Sequence, residues 1–211
     1  MARVLVVSPH PDDESLGCGG TLHQHVVHGD VVRAVFLTSG EQGGHGRERE
    51  ETARLREREA TTASGILGLA HIEFWRQPDG ALRTSGVLVD RLRRTLREWR
   101  PRFLYVTHEH EQHPDHRAAA RLVRRAITGG RFRMTPPTVR LFEVWTPLQR
   151  IAEVVDISSS IEVKLRAIRA HRTQCRVMRF DEAFLALSRY RGEMHSWPGG
   201  EYAEVFAGWS E

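Results

Sequence analysis

The reading of the chain turns on VLVVSPHPDDESLGCGG, residues 4–20. Val4, Leu5, Val6 and Val7 form a continuous apolar run, the pattern of a strand covered on both faces rather than one. His10, Asp12, Asp13 and Glu14 follow at its carboxyl end, where unpaired charge would be costly to bury. Such a cluster either lies on a solvated loop or holds a cation. What the rest of the chain brings beside it decides between the two.

Strand and helix patterns alternate from there. Residues 14–28 carry helical spacing and stop at Gly29-Asp30, and VVRAVFLT at 31–38 reads as a second strand. The glycine-rich SGEQGGHGRERE at 39–50 reads as a loop that shapes the mouth of any site here. A helix over 49–67 is closed by Gly68, a strand covers 71–75, and Pro78-Asp79-Gly80 is a turn signal. A helix over 85–99, a strand over 103–107, the polar HEHEQHPDH at 108–116 and a helix over 117–127 follow. Strands at 139–145 and 154–157, helices at 161–172 and 181–195, and a late edge strand at 202–206 complete the pattern.

This alternation predicts an α/β fold: a Rossmann-like three-layer sandwich with a mostly parallel sheet, order 3-2-1-4-5 at its centre. No repeat or linker divides it, so one domain spanning 1–211 is expected. Ligands of such sheets bind outside the carboxyl ends of the strands, where the strand order reverses. The reversal falls between strands one and four, and the loops leaving those strands are SPHPDDE and HEHEQHPDH. The two polar clusters of the chain therefore face each other across one crevice.

The composition is that of a soluble globular protein, with 40% hydrophobic and 27% charged residues. The net charge of +4 rests on arginine, since Lys164 is the only lysine. The arginines are spread along helical segments laced with Glu, and no helix-turn-helix, zinc-finger or aromatic RNA-binding signature accompanies them. No nucleic-acid partner is expected. Cys18 and Cys175 form no CxxC pair, which suits a reducing interior. The first apolar run is too short for a signal peptide, and no run approaches the ~18 residues of a membrane span. A cytoplasmic protein without a membrane partner is expected.

Histidines with carboxylates, and no thiol pairs, suit Zn²⁺, Fe²⁺ or Mn²⁺. Catalytic zinc takes three protein ligands and leaves one position open. His10 and Asp13 stand three apart, so one helical turn aims both the same way, and His113 and His116 share that spacing. One of the second pair can complete a metal site while the other reaches toward substrate.

SPHPDDESLGCGGTL and the HPDH at 113–116 resemble the PIG-L/LmbE-like zinc-dependent N-acetylglucosaminyl deacetylases. TSGEQGG, the Arg56/Glu59 pair, QPDG at 77–80, VDIS and KLRAIRAHRTQ are weaker echoes that keep the register. The resemblance implies one Zn²⁺ per chain, with Fe²⁺ or another divalent metal as alternatives, ligated by His10, Asp13 and His116. It makes Asp12 the general base for a metal-activated water. His113 stabilises the oxyanion or protonates the leaving amine, and Asp115 orients a neighbouring histidine. Arg56 and Asp79 fall at substrate-binding positions. The implied substrate is a small N-acetylated sugar conjugate, and a homo-oligomer is compatible with the pattern.

A rival reading takes His10-Pro11-Asp12 with a distant histidine as the triad of a mononuclear non-haem Fe(II) oxygenase. It needs Asp12 on the metal where the hydrolase needs Asp13, and its usual all-β barrel conflicts with the alternation of strand and helix. Among the neighbours, Glu14 reads as a helix cap and Cys18 as a small core residue. Gly17, Gly19 and Gly20 read as positions where the helix packs closely on the sheet.

Overall fold

A computed structural model of the chain describes residues 1–128, 135–195 and 200–209. Its elements run β1 (Arg3–Ser8), α1 (Asp13–Val27), β2 (Val31–Thr38), α2 (Arg49–Leu67), β3 (His71–Gln77), α3 (Gly86–Trp99) and β4 (Phe103–Thr107). They continue with α4 (Pro114–Thr128), β5 (Thr138–Phe142), β6 (Glu153–Asp156), α5 (Ile161–Ala170), α6 (Arg172–Cys175), α7 (Phe180–His195) and β7 (Ala203–Ala207). The strands form a seven-stranded sheet in the order β3-β2-β1-β4-β5-β7-β6. The first five are parallel, and β7 runs antiparallel to both β5 and β6.

The apolar run in β1 is explained by two cores, one on each face. Val4 and Val6 join Phe36, Tyr105 and Phe142 under α1, α5 and α7. Leu5 and Val7 join Leu37, Leu104 and Val106 under α3 and α4. With side chains alternating across the strand, both sets have to be apolar. No helix among the described residues is long and apolar enough to cross a membrane.

Three local readings change. The late strand is not an edge: β7 inserts between β5 and β6, and β6 is the outer strand. Burial explains the order, because Ala203 to Phe206 are buried whereas Glu153 to Asp156 are not. α4 starts at Pro114 rather than at residue 117. Proline suits the first helical position, where no N–H partner is needed, and the earlier start carries Asp115 and His116 into the first turn.

The third change concerns α1, which is broken at Cys18 (φ −144°, ψ 15°). The broken turn frees the N–H groups of Gly20 and Thr21, and both donate to the Glu204 carboxylate of β7 at 2.9 and 2.8 Å. The Lys164 ammonium pairs with the same carboxylate at 2.7 Å. A Cβ on Gly17 would sit 2.2 Å from the Phe142 ring, and one on Gly20 2.8 Å from Ile157. Gly19 differs, since its Cβ would make only ordinary contact, 3.5 Å from Lys164. Cys18 itself is fully buried in the core.

Candidate active site

β1 pairs with β4, so the loops leaving their carboxyl ends lie side by side. The first supplies His10 and Asp12, with Asp13 opening α1; the second supplies His113, with Asp115 and His116 on α4. The sheet thus brings the two polar clusters together as the strand order predicts.

Three donor atoms converge at the centre. His10 Nδ1 and Asp13 Oδ2 lie 3.1 Å apart, Asp13 Oδ2 and His116 Nε2 3.2 Å, and the two ring nitrogens 3.3 Å. Ligands about 2.0–2.1 Å from a tetrahedral ion stand roughly 3.3–3.4 Å from one another. The spacing therefore fits one divalent metal. The donor chemistry fits as well: two imidazole nitrogens this close to one carboxylate oxygen need a cation, or a proton, between their lone pairs. His113 closes a second triangle, because its ring also lies within ligating reach of His10 and His116.

Electrostatics follow from the shared carboxylate. Burial opposes ionisation of Asp13, yet the His116 and His10 rings outweigh it and hold its carboxyl well below the usual range. Burial likewise opposes charge on His116, and Asp13 overcomes it, raising the ring to about 9. His10 is raised against burial by Asp115, Asp13 and Asp79.

Asp12 is turned the other way. Its Oδ2 accepts from an Arg56 guanidinium nitrogen at 2.9 Å, and Arg56 also donates to Pro11 O at 2.9 Å and Gly40 O at 3.0 Å. Burial pushes the Asp12 carboxyl up to about 6, Arg56 pulls against this, and Asp13 adds to it. Asp12 holds a φ of +144°, a strained conformation for a residue with a side chain. Glu14 supports it from below, accepting the Asp12 N–H at 3.3 Å and the Ser15 hydroxyl at 2.7 Å. The cap reading of Glu14 thus becomes a bond to the strained residue's own backbone, and burial raises its carboxyl to about 7.

Asp79 Oδ1 lies 3.0 Å from His10 Nε2, and its Oδ2 accepts the Gln42 N–H at 2.8 Å. Burial notwithstanding, the contact with His10 holds the Asp79 carboxyl at about 2. Asp115 faces His10 Nε2 at 3.4 Å and accepts the N–H groups of Gly80 and Leu82 at 2.7 and 3.0 Å. The histidine beside its carboxylate is therefore His10 rather than His113.

His113, expected to stabilise the oxyanion or protonate the leaving amine, is favoured in its neutral form. Burial, then the neighbouring His10 and His116 rings, push its pKa down. Its Nδ1 accepts the Asp115 N–H at 3.2 Å, which places the proton of the neutral ring on Nε2.

A cavity of about 270 Å³ opens over this cluster, lined by His10, Asp12, Asp13, Arg56, Asp79 and His113. Gln42 and Gly43 of the glycine-rich loop join its wall, together with Trp145, Gln174 and Phe180, which sequence reasoning did not single out. It also passed over Glu111, inside HEHEQHPDH. That buried carboxylate lies 3.7 Å from His116 Nδ1 and accepts the N–H groups of Val144, Trp145 and Thr146. Its place within the histidine motif was the available signal; Trp145 and Phe180 gave none. His108 stays outside the cluster, bonded to Thr146 O at 2.7 Å, and His110 is exposed.

Residues 5–127 match the family model described as PIG-L: GlcNAc-PI de-N-acetylase. A probable N-acetyl-alpha-D-glucosaminyl L-malate deacetylase 2 of Bacillus cereus is 30% identical over 191 residues, covering 83% of this chain and 85% of the relative. The crystal structure of a conserved protein from Thermus thermophilus is 32% identical, covers 100% of both chains and superposes with a TM-score of 0.84. A 4-carboxy-2-hydroxymuconate hydratase from Pseudomonas putida superposes with a TM-score of 0.89 over 100% of this chain and 97% of its own, at 24% identity. That last likeness concerns the fold alone, and one fold carries many reactions.

Proposed function

Because the chain belongs to the PIG-L (GlcNAc-PI de-N-acetylase) family and is an amide-hydrolysing enzyme, we propose that it removes acetyl from the nitrogen of a small N-acetylglucosaminyl conjugate. In this reading one divalent metal, Zn²⁺, is held by His10, Asp13 and His116. The observation that carries it is the convergence of His10 Nδ1, Asp13 Oδ2 and His116 Nε2 within 3.3 Å, beside a cavity that also exposes Asp12. When bound, the metal supplies Lewis-acid polarisation and lowers the pKa of water.

The chain's own residues do the rest. The Asp12 carboxylate takes the proton of the attacking water, and a pKa near 6 leaves it largely ionised at neutral pH and basic enough to act. The water oxygen joins the carbonyl carbon, and the C–N bond then breaks. Acetate leaves with the added oxygen, and the amine nitrogen receives the proton that Asp12 took. His113 donates its Nε2–H to the oxygen that gains charge in the transition state. Asp115 and Asp79 hold the His10 ring, while Arg56 fixes the Asp12 carboxylate and forms part of the cavity wall with Asp79.

The oxygenase reading needs the Asp12 carboxylate on the metal, and that group is engaged by Arg56 instead. The test is release of free amine and acetate from a panel of N-acetylglucosaminyl conjugates, abolished by a chelator and restored by Zn²⁺. Metal-loaded protein that releases no amine from any of them would overturn the reading.

A further inference from the structure

The cavity over the metal cluster has a neighbour that shares two of its walls. A second compartment of about 200 Å³ adjoins it, lined by Val144, Trp145, Met178, Phe180, Ala183 and Phe184. Trp145 and Phe180 line both spaces, with their rings in edge contact at 5.9 Å between centroids. Trp145 and Met178 are 42% and 43% exposed, an apolar surface left open at the mouth of a polar site. The backbone beneath Trp145 is anchored, because both oxygens of the buried Glu111 accept its main-chain N–H, at 3.1 and 3.2 Å.

The lining decides what can sit there. The one charged lining residue, Arg179, is paired with Glu182. No lining side chain carries a hydroxyl, amide or carboxylate. A second sugar or a polyol would give up its bonds to water without replacement, whereas an apolar group gains by covering Trp145 and Met178. The acetamido sugar and its linked group are one molecule, so the adjoining space takes whatever the sugar is attached to.

Resting on the deacetylase reading, we propose that this compartment binds an apolar aglycone, aryl or alkyl. The substrate is then an N-acetylglucosaminide with a hydrophobic group at its linkage. This differs from the malate conjugate in the name of the Bacillus cereus relative.

The experiment compares deacetylation of phenyl and methyl N-acetylglucosaminides by the metal-loaded protein. The phenyl glycoside should show a kcat/KM about tenfold higher, carried by KM. Met178→Ser, which alters only the outer compartment, should narrow that preference severalfold and leave turnover of the methyl glycoside unchanged. Equal rates in the unaltered protein, or a preference that Met178→Ser leaves undiminished, overturns the proposal. Dimerisation of the unaltered protein that Met178→Ser abolishes assigns the face to a second copy and overturns it too. Failure to release amine from either glycoside strikes the deacetylase reading instead. Calorimetric binding of the same pair then reads the compartment independently: tighter phenyl binding that weakens in Met178→Ser supports it, and equal binding of the two by the unaltered protein refutes it.

Discussion

Asp12 and Asp13 are adjacent and chemically identical, and the structure gives them opposite tasks that two substitutions separate. Asp13 Oδ2 accepts the His10 N–H at 2.9 Å and faces His10 Nδ1 at 3.1 Å and His116 Nε2 at 3.2 Å. Asp13→Ala removes one of three candidate ligands and the one carboxylate oxygen that both buried rings share. Losing an outer partner of a ligand already costs about 10–100-fold in metal affinity. Losing a ligand should therefore cost more than about 100-fold, or about 2.7 kcal/mol. Asp12 is better replaced by Asn than by Ala, because Asn keeps the shape of the side chain and an acceptor for Arg56. Asp12→Asn should retain the metal and lose about 10²–10⁴-fold in kcat, the usual contribution of a general base. Competition with a chromogenic chelator reads the first quantity, and initial rates of amine release read the second. If Asp12→Asn lost the metal while Asp13→Ala kept it, the ligand assignment would be wrong and the oxygenase-type triad would gain.

Glu204→Leu should cost about 3–5 kcal/mol, because it strands the buried Lys164 ammonium and the freed N–H groups of α1. Lys164→Met should cost less, since Glu204 keeps both N–H donors; equal losses in urea unfolding would count against this. Gly17→Ala should destabilise by about 1–3 kcal/mol through its clash with the Phe142 ring and Glu143 O. Gly19→Ala should be close to neutral, and thermal unfolding of the pair checks the contrast. His171 is buried, and that burial, then the Arg56 charge, push its pKa down to about 3. Because the folded value is depressed, stability is full above the unfolded value of about 6.5 and is lost as pH falls toward 3. The loss between pH 7 and pH 5 is about 2 kcal/mol. His171→Gln should remove that share of the acid sensitivity, and an unchanged difference between the two pH values in urea unfolding would refute it.

The first five strands are legible because they alternate with helices, and β1, β2 and β4, covered on both sides, add apolar runs that no loop imitates. The order of the last two is not, since a short apolar segment records that it is buried but not between which partners. β7 enters between β5 and β6 through pairings that join segments distant in the chain. The start of α4 was legible after all: Pro114 is a helix-opening residue, outweighed by reading HEHEQHPDH as one loop. His10, Asp12, Asp13, His113, Asp115 and His116 are visible because each sits inside a short motif. Trp145, Gln174 and Phe180 reach the cavity from three separate segments, so only the tertiary fold collects them. The neutral state of His113 lies beyond the sequence for a related reason, because it depends on two other rings beside it in space.

The division of labour between Asp12 and Asp13 is a property of the backbone rather than of composition. A helix opening smoothly at this point would project two consecutive carboxylates about 100° apart and leave their tasks to small differences in environment. Here Asp12 is held at φ +144°, which turns its side chain onto Arg56 while Asp13 begins α1 facing the histidines. The strain is maintained by bonds to the strained segment itself: Glu14 accepts the Asp12 N–H, and Arg56 donates to the Pro11 carbonyl as well as to the Asp12 carboxylate. Arg56 therefore has two separable effects, on the charge of Asp12 and on its conformation. Arg56→Lys keeps a cation but cannot span both acceptors as the planar guanidinium does. It should lower kcat while metal affinity stays near that of the unaltered protein. Loss of metal in that variant would mean that the conformation of Asp12 also positions Asp13, and that base and ligand are not independently held.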